Sequence, residues 1–265
     1  MVIIMDPTRD NLVTLGRRMT SARIALRLRM LADPQRAALC RSLLAAPLVL
    51  AAMPAHAQQQ DEQLWLQVNT NVPLTDRVRI TLEQIGRFSD RQGGLYQAQF
   101  GGLLSYRAFR KIEFGFGYRW VGAYKGNTAA DEDSLRQQVV GTFGPVTARL
   151  RIDERFNQSG SEVGFRIRPL IRYNYRIGTR GVALFVSHES FFLPNSTRWG
   201  QRAGYERMRN VFGVSLPLGR SVTGDIGYLN QYRLGRGGAQ AQMDHALNLQ
   251  LTINLRGFVG PQVHD

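Results

Sequence analysis

The segment Ala246-Leu-Asn-Leu-Gln-Leu-Thr-Ile-Asn-Leu255 alternates apolar residues with polar or small ones along its whole length. Successive side chains of a β-strand point to opposite faces, so this period of two predicts a strand with one apolar and one polar face. A strand of about ten residues is long enough to cross a bilayer. The segment is therefore typical of a transmembrane strand in a β-barrel.

Ten more segments of similar length share this two-sided pattern, and turn residues separate them. The eleven predicted strands are 64–72, 77–88, 96–106, 112–124, 135–143, 146–156, 165–177, 182–192, 205–216, 222–232 and 246–255. Their connections alternate between short turns and longer loops, which in outer-membrane barrels face the periplasm and the exterior respectively. We predict an all-β fold, a closed antiparallel transmembrane β-barrel of 10–12 strands.

The number of strands stays open at this stage. Bacterial single-chain barrels have even strand numbers. The alternation of short turns and long loops fits ten strands in a barrel domain over 77–258. Residues 58–76 are then a lead-in with a candidate first strand, and 259–265 are a C-terminal tail. Either the segment 64–72 lies inside or under the barrel, or there is a twelfth strand near 255–259.

Residues 1–57 are predicted to be a secretory signal peptide with an over-long N-terminal extension. The apolar run 43–53 is shorter than the ~20 residues that span a bilayer. Basic residues precede it and Ala55-His56-Ala57 follows it, which predicts cleavage after Ala57. The long basic stretch before the run suggests Met30 or Met19 as the true start. The alternative is an uncleaved N-terminal membrane anchor.

Charge and cysteine content narrow the location and the partners. The formal net charge is +14, but the arginines are spaced singly along strands, which argues against nucleic-acid binding. The single cysteine, Cys40, precedes the predicted cleavage site, so we expect no disulfide. We expect a bacterial outer-membrane location, contact with membrane lipids and anionic lipopolysaccharide, and insertion by the barrel-assembly machinery. The competing architecture is a soluble periplasmic β-sandwich binding protein, whose strands would usually have ~5–6 residues.

Charged residues on the polar strand faces form the strongest candidate site. The predicted charge network of the lumen comprises Arg149, Arg151, Asp153, Arg155, Arg166, Arg168, Arg172, Arg176, Arg207 and Arg209, with Glu83, Glu113, Glu189 and Asp225 as counter-charges. Such arginines either select anions at a constriction or fill and brace a narrow barrel. The preferred function is a non-enzymatic outer-membrane barrel, either structural or a narrow anion-biased channel, without a cofactor.

The spacing His188-x-Ser190 is the sharpest indication of catalysis. Period two places both side chains on one outward strand face, where His188 would act as the base for a Ser190 nucleophile. A third group must orient the histidine, and Glu206, predicted to face outward on the next strand, is the candidate. This alternative function is hydrolysis of lipid A or phospholipid. The competing interpretation is that these are ordinary polar residues beyond the apolar belt.

No metal site is predicted, because the histidines lie in separate segments without ligand spacing. The acidic triplet Asp131-Glu132-Asp133 lies in a predicted long loop. It is either a solvated loop tip or a site for divalent cations that bridge lipopolysaccharide.

Four sequence features carry a family resemblance. They are the run Arg149-Leu-Arg-Ile-Asp-Glu-Arg-Phe156, the following Phe165-Arg-Ile-Arg168, the strand end His188-Glu-Ser-Phe-Phe192, and Tyr205-Glu-Arg-Met-Arg209. With Trp65 soon after the predicted cleavage site, they resemble the proteobacterial and Bacteroidetes family known as domain of unknown function 2490. The resemblance covers about 63–255. It implies an outer-membrane barrel and transfers no activity and no site residue.

Overall fold

A computed structural model describes residues 59–255, and these form one closed barrel of eleven strands. The strands are β1 (Gln59–Pro73), β2 (Val78–Ser89), β3 (Gly94–Phe109), β4 (Ile112–Ala123), β5 (Glu132–Phe143), β6 (Val146–Asn157), β7 (Val163–Ile177), β8 (Val182–Leu193), β9 (Gly204–Pro217), β10 (Val222–Arg233) and β11 (Gln242–Asn254). Each predicted segment overlaps one of them. The predicted signal peptide, its cleavage site at Ala57 and the tail over 259–265 lie outside the described residues.

The two faces of the wall differ sharply in chemistry. Aromatic and aliphatic side chains such as Phe116, Ile171 and Phe212 are exposed on the outside. The buried side chains of the interior are mainly arginines, carboxylates and amides, and Asp153 is 0% exposed. This arrangement is the reverse of a soluble protein core. The β-sandwich alternative is therefore wrong, because no pair of packed sheets with an apolar core exists in residues 59–255.

The barrel closes through a parallel pair. Strand β1 pairs with β11 from Gln59↔Gln242 to Asn71↔Asn254, while every other neighbouring pair is antiparallel. The predicted wholly antiparallel closure is wrong. The segment 64–72 lies neither inside nor under the barrel. It is part of a wall strand, which starts on the N-terminal side of the boundary predicted at residue 77. We call this pairing of β1 with β11 the parallel seam. It allows an odd number of strands to form a closed barrel, so residues 59–255 need no twelfth strand.

Connections of two lengths emerge at opposite ends of the barrel. The turns after odd-numbered strands are short, as at Gly144-Pro145, where Gly144 has a φ of 61°. The longer loops, 124–131, 194–203 and 234–241, all follow even-numbered strands, although the connection 90–93 after β2 has only four residues. Because β1 and β11 run in the same direction, β1 begins at the long-loop end and β11 finishes at the short-turn end.

Engineered disulfides are expected to form at two places along the seam in a Cys40→Ser background. Leu64 lies opposite Leu247 and Val68 opposite Leu251, and each pair shares the outer face. Paired positions on one face meet the distance requirement of a disulfide. Both double-cysteine variants should therefore cross-link, as measured by the migration of non-reduced protein on denaturing gels.

The control is Val68→Cys with Thr252→Cys, because Thr252 points into the lumen. In a parallel pair, a step from Leu64 to Val68 along β1 moves the partner forward along β11, from Leu247 to Leu251. In an antiparallel pair the partner would move backward, so both cross-links could not form. Cross-linking at one of the two positions alone, or in the control, would contradict the parallel seam.

Candidate functional site

The lumen collects the charged residues predicted for it, apart from Arg176, which is exposed near the short-turn end of β7. The buried or half-buried members are Glu83, Glu113, Arg149, Arg151, Asp153, Arg155, Arg166, Arg168, Arg172, Glu189, Arg207, Arg209 and Asp225. Alternation within each strand sends these side chains inward. The barrel interior is therefore densely lined with charges.

One carboxylate gathers three arginines from three strands. Glu189 on β8 forms an ion pair with Arg149 on β6, with Arg168 on β7 at 3.0 Å, and with Arg209 on β9 at 3.3 Å. We call these four residues the Glu189 cluster. All four are buried. The guanidinium fork suits such shared carboxylates because it offers several donors in a fixed plane.

Two other ion pairs join strands that are three positions apart around the wall. Arg136 on β5 reaches Glu83 on β2 at 2.6 Å, and Arg172 on β7 reaches Asp225 on β10 at 2.9 Å. Gly101 on β3 permits the first of these, because a Cβ there would lie 3.2 Å from the Arg136 guanidinium and 2.8 Å from the Tyr118 carbonyl oxygen. These pairs connect separate parts of the wall through the interior.

Two buried aromatic rings, Trp65 and Phe191, pack against guanidinium groups of the lumen. The Arg87 guanidinium carbon lies 3.9 Å from the ring centroid of Trp65, and that of Arg209 lies 4.6 Å away. The Phe191 ring has Arg168 at 4.7 Å and Arg209 at 5.0 Å. Cation–π attraction is strengthened where both partners are shielded from water. Neither ring was assigned to the site from the sequence, although both lie on the inward parity of their strands.

A large cavity, which we call the vestibule, occupies the long-loop half of the lumen. Its volume is about 1210 Å³, and eleven arginines but only three carboxylates line it among the described residues. A second cavity, of about 30 Å³, is lined by Glu189, Arg209 and Asp225 towards the short-turn end. Glu189 and Arg209 of the Glu189 cluster border this cavity, and Arg168 and Arg209 border the vestibule, so the cluster separates the two. The vestibule is strongly electropositive, because its arginines greatly outnumber its acids.

On the outside of the wall, three polar side chains form a hydrogen-bonded chain. His188 Nδ1 lies 2.7 Å from Asn210 Oδ1, and His188 Nε2 lies 3.0 Å from Ser190 Oγ. Asn210 lies directly opposite His188 in the pairing of β9 with β8. An amide oxygen accepts, so Nδ1 carries the proton and Nε2 is free to accept the Ser190 hydroxyl. The predicted His–Ser contact is thus present, with Asn210 as the orienting group.

The prediction that Glu206 faces outward and orients His188 is wrong. Glu206 forms an ion pair with Arg207 and lines the vestibule. The reason is a β-bulge, because Phe191 pairs with Arg207 and Phe192 with Tyr205, which leaves Glu206 as an extra residue. A bulge breaks alternation and redirects a side chain.

The same bulge turns Tyr205 outward. Its hydroxyl lies 3.2 Å from Ser190 Oγ, and its ring contacts that of Phe192 edge to face. Strict alternation from Arg207 would have placed Tyr205 in the lumen, so the sequence pattern gave no sign of this contact. Asn210, by contrast, shares the outward parity of Met208 and Phe212 and was detectable from the alternation.

The acidic triplet does not act as one group. Glu132 lies in the lumen, where Arg155 forms an ion pair with it. Asp133 accepts a hydrogen bond from Tyr118 on the outside, and Asp131 accepts one from the Ala123 amide. The expectation of a shared loop tip is wrong, because β5 already begins at Glu132. Residues 59–255 contain no group of three or more His, Cys, Asp or Glu side chains arranged to hold a metal ion.

The fold and interior define this molecule as a closed β-barrel with a charged lumen. The chain belongs to the family described as "Protein of unknown function (DUF2490)", whose profile matches residues 62–242. The predicted family is thereby confirmed. The chain is 30% identical over 222 residues to an uncharacterized protein of Methylorubrum extorquens, covering 80% of this chain and 96% of the relative.

Similarity to a solved structure is weaker. A chain from a study of the in-meso crystallization of membrane proteins matches with a TM-score of 0.37 and 13% identity, over 69% of this chain and 79% of that chain. Over the described part of the present chain, no helix has the length and apolar character needed to cross a bilayer.

Proposed function

We propose that this protein is an integral outer-membrane barrel whose lumen is an anion-attracting vestibule closed by the Glu189 cluster. The outward apolar surface supports membrane insertion. Side chains such as Leu82, Phe116 and Phe212, on strands around the wall, are 48%, 55% and 60% exposed. Soluble monomers rarely expose contiguous apolar patches above a few hundred Å². A closed barrel also satisfies its backbone groups within the wall, as lipid requires.

The lengths of the connections support one orientation in the membrane. Short turns face the periplasm in bacterial barrels and long loops face the exterior. The vestibule then opens outward, towards anionic lipopolysaccharide and other acidic solutes, while outer-membrane lipids surround the wall. Insertion would depend on the barrel-assembly machinery. Recovery of the protein in the outer-membrane fraction, with a folded form that migrates differently from the boiled form, is the expected result. Recovery in the soluble periplasm would contradict the proposal.

The burial of the central charges is the observation that carries the closed lumen. Arg149, Arg168 and Glu189 are each 2% exposed, so the level of the Glu189 cluster has little access to water. Barrels of about this size are usually filled by their own side chains. The vestibule therefore concentrates anions without giving them a wide path through the wall.

Planar-bilayer recordings are expected to show no discrete open channel for the wild-type protein. Truncating two members of the Glu189 cluster together, Arg168→Ala with Arg209→Ala, removes bulk between the two cavities. This variant should conduct, and its reversal potential in a KCl gradient should indicate anion selectivity because most vestibule arginines remain.

The matched control removes the same charge outside the lumen, through Arg180→Ala with Arg220→Ala in two short turns where both residues are exposed. It should stay silent. Steady large conductance of the wild type would overturn the closed lumen, and cation selectivity of the double variant would overturn the anion bias.

A further inference from the structure

The outer surface of β8 and β9 carries an arrangement that the lumen does not need. Ser190, His188 and Asn210 are hydrogen-bonded in series, in the order nucleophile, base and orienting group. A nucleophile and base within hydrogen-bond reach, with the base held by a third group, form the geometric signature of an activated serine.

We propose that His188, Ser190 and Asn210 form a serine esterase site for fatty-acyl esters of membrane lipids. The proposal rests on the outward face of the barrel lying in lipid. It does not depend on the closed lumen.

The surroundings of the triad fit an acyl-chain substrate. His188 is exposed, and Ser190 is half-buried three residues before the end of β8 at Leu193. Ile171 on β7 pairs with His188, and Met208 on β9 pairs with Ser190. These two side chains flank the triad at its own level, and Val186 lies on the same face towards the short-turn end, so the triad has an apolar border. A lipid could therefore place its acyl chain along the wall and its ester at the polar edge.

The β-bulge at Glu206 completes the site. It places the Tyr205 hydroxyl beside Ser190 Oγ and packs the Tyr205 ring against Phe192. Tyr205 is thus a positioning residue that fixes the rotamer of the nucleophile. Bulges of this kind frequently occur next to active sites because they redirect one side chain without disturbing the rest of the strand.

The chemistry needs only the triad, the ester and water. Ser190 Oγ attacks the carbonyl carbon of the ester while its proton passes to His188 Nε2. The bond to the alcohol oxygen then breaks, and His188 returns the proton to that oxygen, which releases the deacylated lipid. Water attacks the acyl-serine with His188 again as the base, and the products are the free fatty acid and regenerated Ser190. Asn210 accepts from Nδ1–H throughout and stabilises the protonated ring.

The test uses the detergent-purified barrel with p-nitrophenyl butyrate, and vesicles of either phosphatidylethanolamine with phosphatidylglycerol or the same lipids with lipid A. The wild type should hydrolyse the soluble ester and release fatty acid from at least one vesicle type. Release of fatty acid from both vesicle types identifies phospholipid as the source of the ester. Release only from the vesicles that contain lipid A identifies lipid A. A fluorophosphonate should label Ser190. Because the soluble ester needs no membrane, activity on it separates this proposal from the proposed location.

Ser190→Ala is expected to lower kcat by at least about 10³-fold and to abolish labelling. The matched control is Ser187→Ala on the same strand, which faces inward and should keep wild-type rates. Asn210→Ala should lower kcat at least about tenfold, whereas Asn210→Asp should restore it, because a carboxylate also accepts from Nδ1–H. Heat-modifiable migration checks that each variant is folded.

Three results would overturn the proposal. The first is a folded wild type that hydrolyses none of these esters. The second is a Ser190→Ala variant that keeps its activity or its labelling. The third is an Asn210→Asp variant no better than Asn210→Ala, which would remove the orienting role of the amide oxygen.

Discussion

Glu189→Ala is expected to lower the free energy of unfolding by about 3–5 kcal/mol. The substitution removes the carboxylate that three buried guanidinium groups share, those of Arg149, Arg168 and Arg209. Without it, positive charges face one another inside the wall and water reaches them poorly. Removing one member of a buried ion pair costs far more than the pair contributes, because the remaining charge is desolvated and uncompensated.

Urea unfolding of the detergent-solubilised barrel, followed by tryptophan fluorescence and heat-modifiable migration, measures this loss. The control is Glu162→Ala, whose ion pair with Arg198 lies in the loops with side chains that are 40% and 93% exposed. An exposed pair of this type contributes about 0–1 kcal/mol. Equal losses in the two variants would contradict the claim that the Glu189 cluster holds the barrel together.

Gly117→Ala is expected to destabilise the barrel by about 1–3 kcal/mol or more, as overpacking does in a filled interior. A Cβ at position 117 on β4 would lie 2.3 Å from the Gly102 carbonyl oxygen and 2.9 Å from the Leu103 Cα on β3. Both contacts are with backbone, so no side-chain rotation relieves them. The two strands would have to separate locally, close to the Arg136–Glu83 ion pair.

The partner strand provides the control. Gly102→Ala adds the same methyl group on β3, where nothing lies within 4 Å of the new atom. Its effect should stay within about 0.5 kcal/mol, the range of unremarkable surface changes. The same urea titration compares the two, and a Gly117→Ala barrel as stable as Gly102→Ala would refute the close approach of β3 and β4.

Alternation was sufficient to locate the strands but not to close the barrel. The pattern marked 64–72 as a strand as clearly as it marked 246–255. The place of this strand in the barrel was predicted from the rule that bacterial barrels have even strand numbers. The rule does not apply here, because β1 pairs with β11 in parallel. Period two describes one strand at a time. It contains no information about which strands meet or in which direction.

The candidate site could be predicted from the sequence to the same extent as the fold. The inward parity of Arg149, Arg168, Glu189 and Arg209 follows from alternation within each strand. That all four meet at one carboxylate depends on the register between strands, which the sequence does not state. The face of Glu206 was predicted wrongly because of the β-bulge. One unpaired residue moves the side chains beyond it on the strand to the opposite face of the sheet.

The parallel seam also sets the order in which the molecule can fold. Asn71 Nδ2 donates to Asn254 Oδ1 across 183 positions of the chain, so the seam cannot form before the last strand exists. Contacts so distant in sequence are late and slow, because a long loop must close before they stabilise anything. Until that moment the open edge of β1 is exposed to foreign strands. A chain that stops before β11 should therefore aggregate through β1 rather than remain as a smaller barrel.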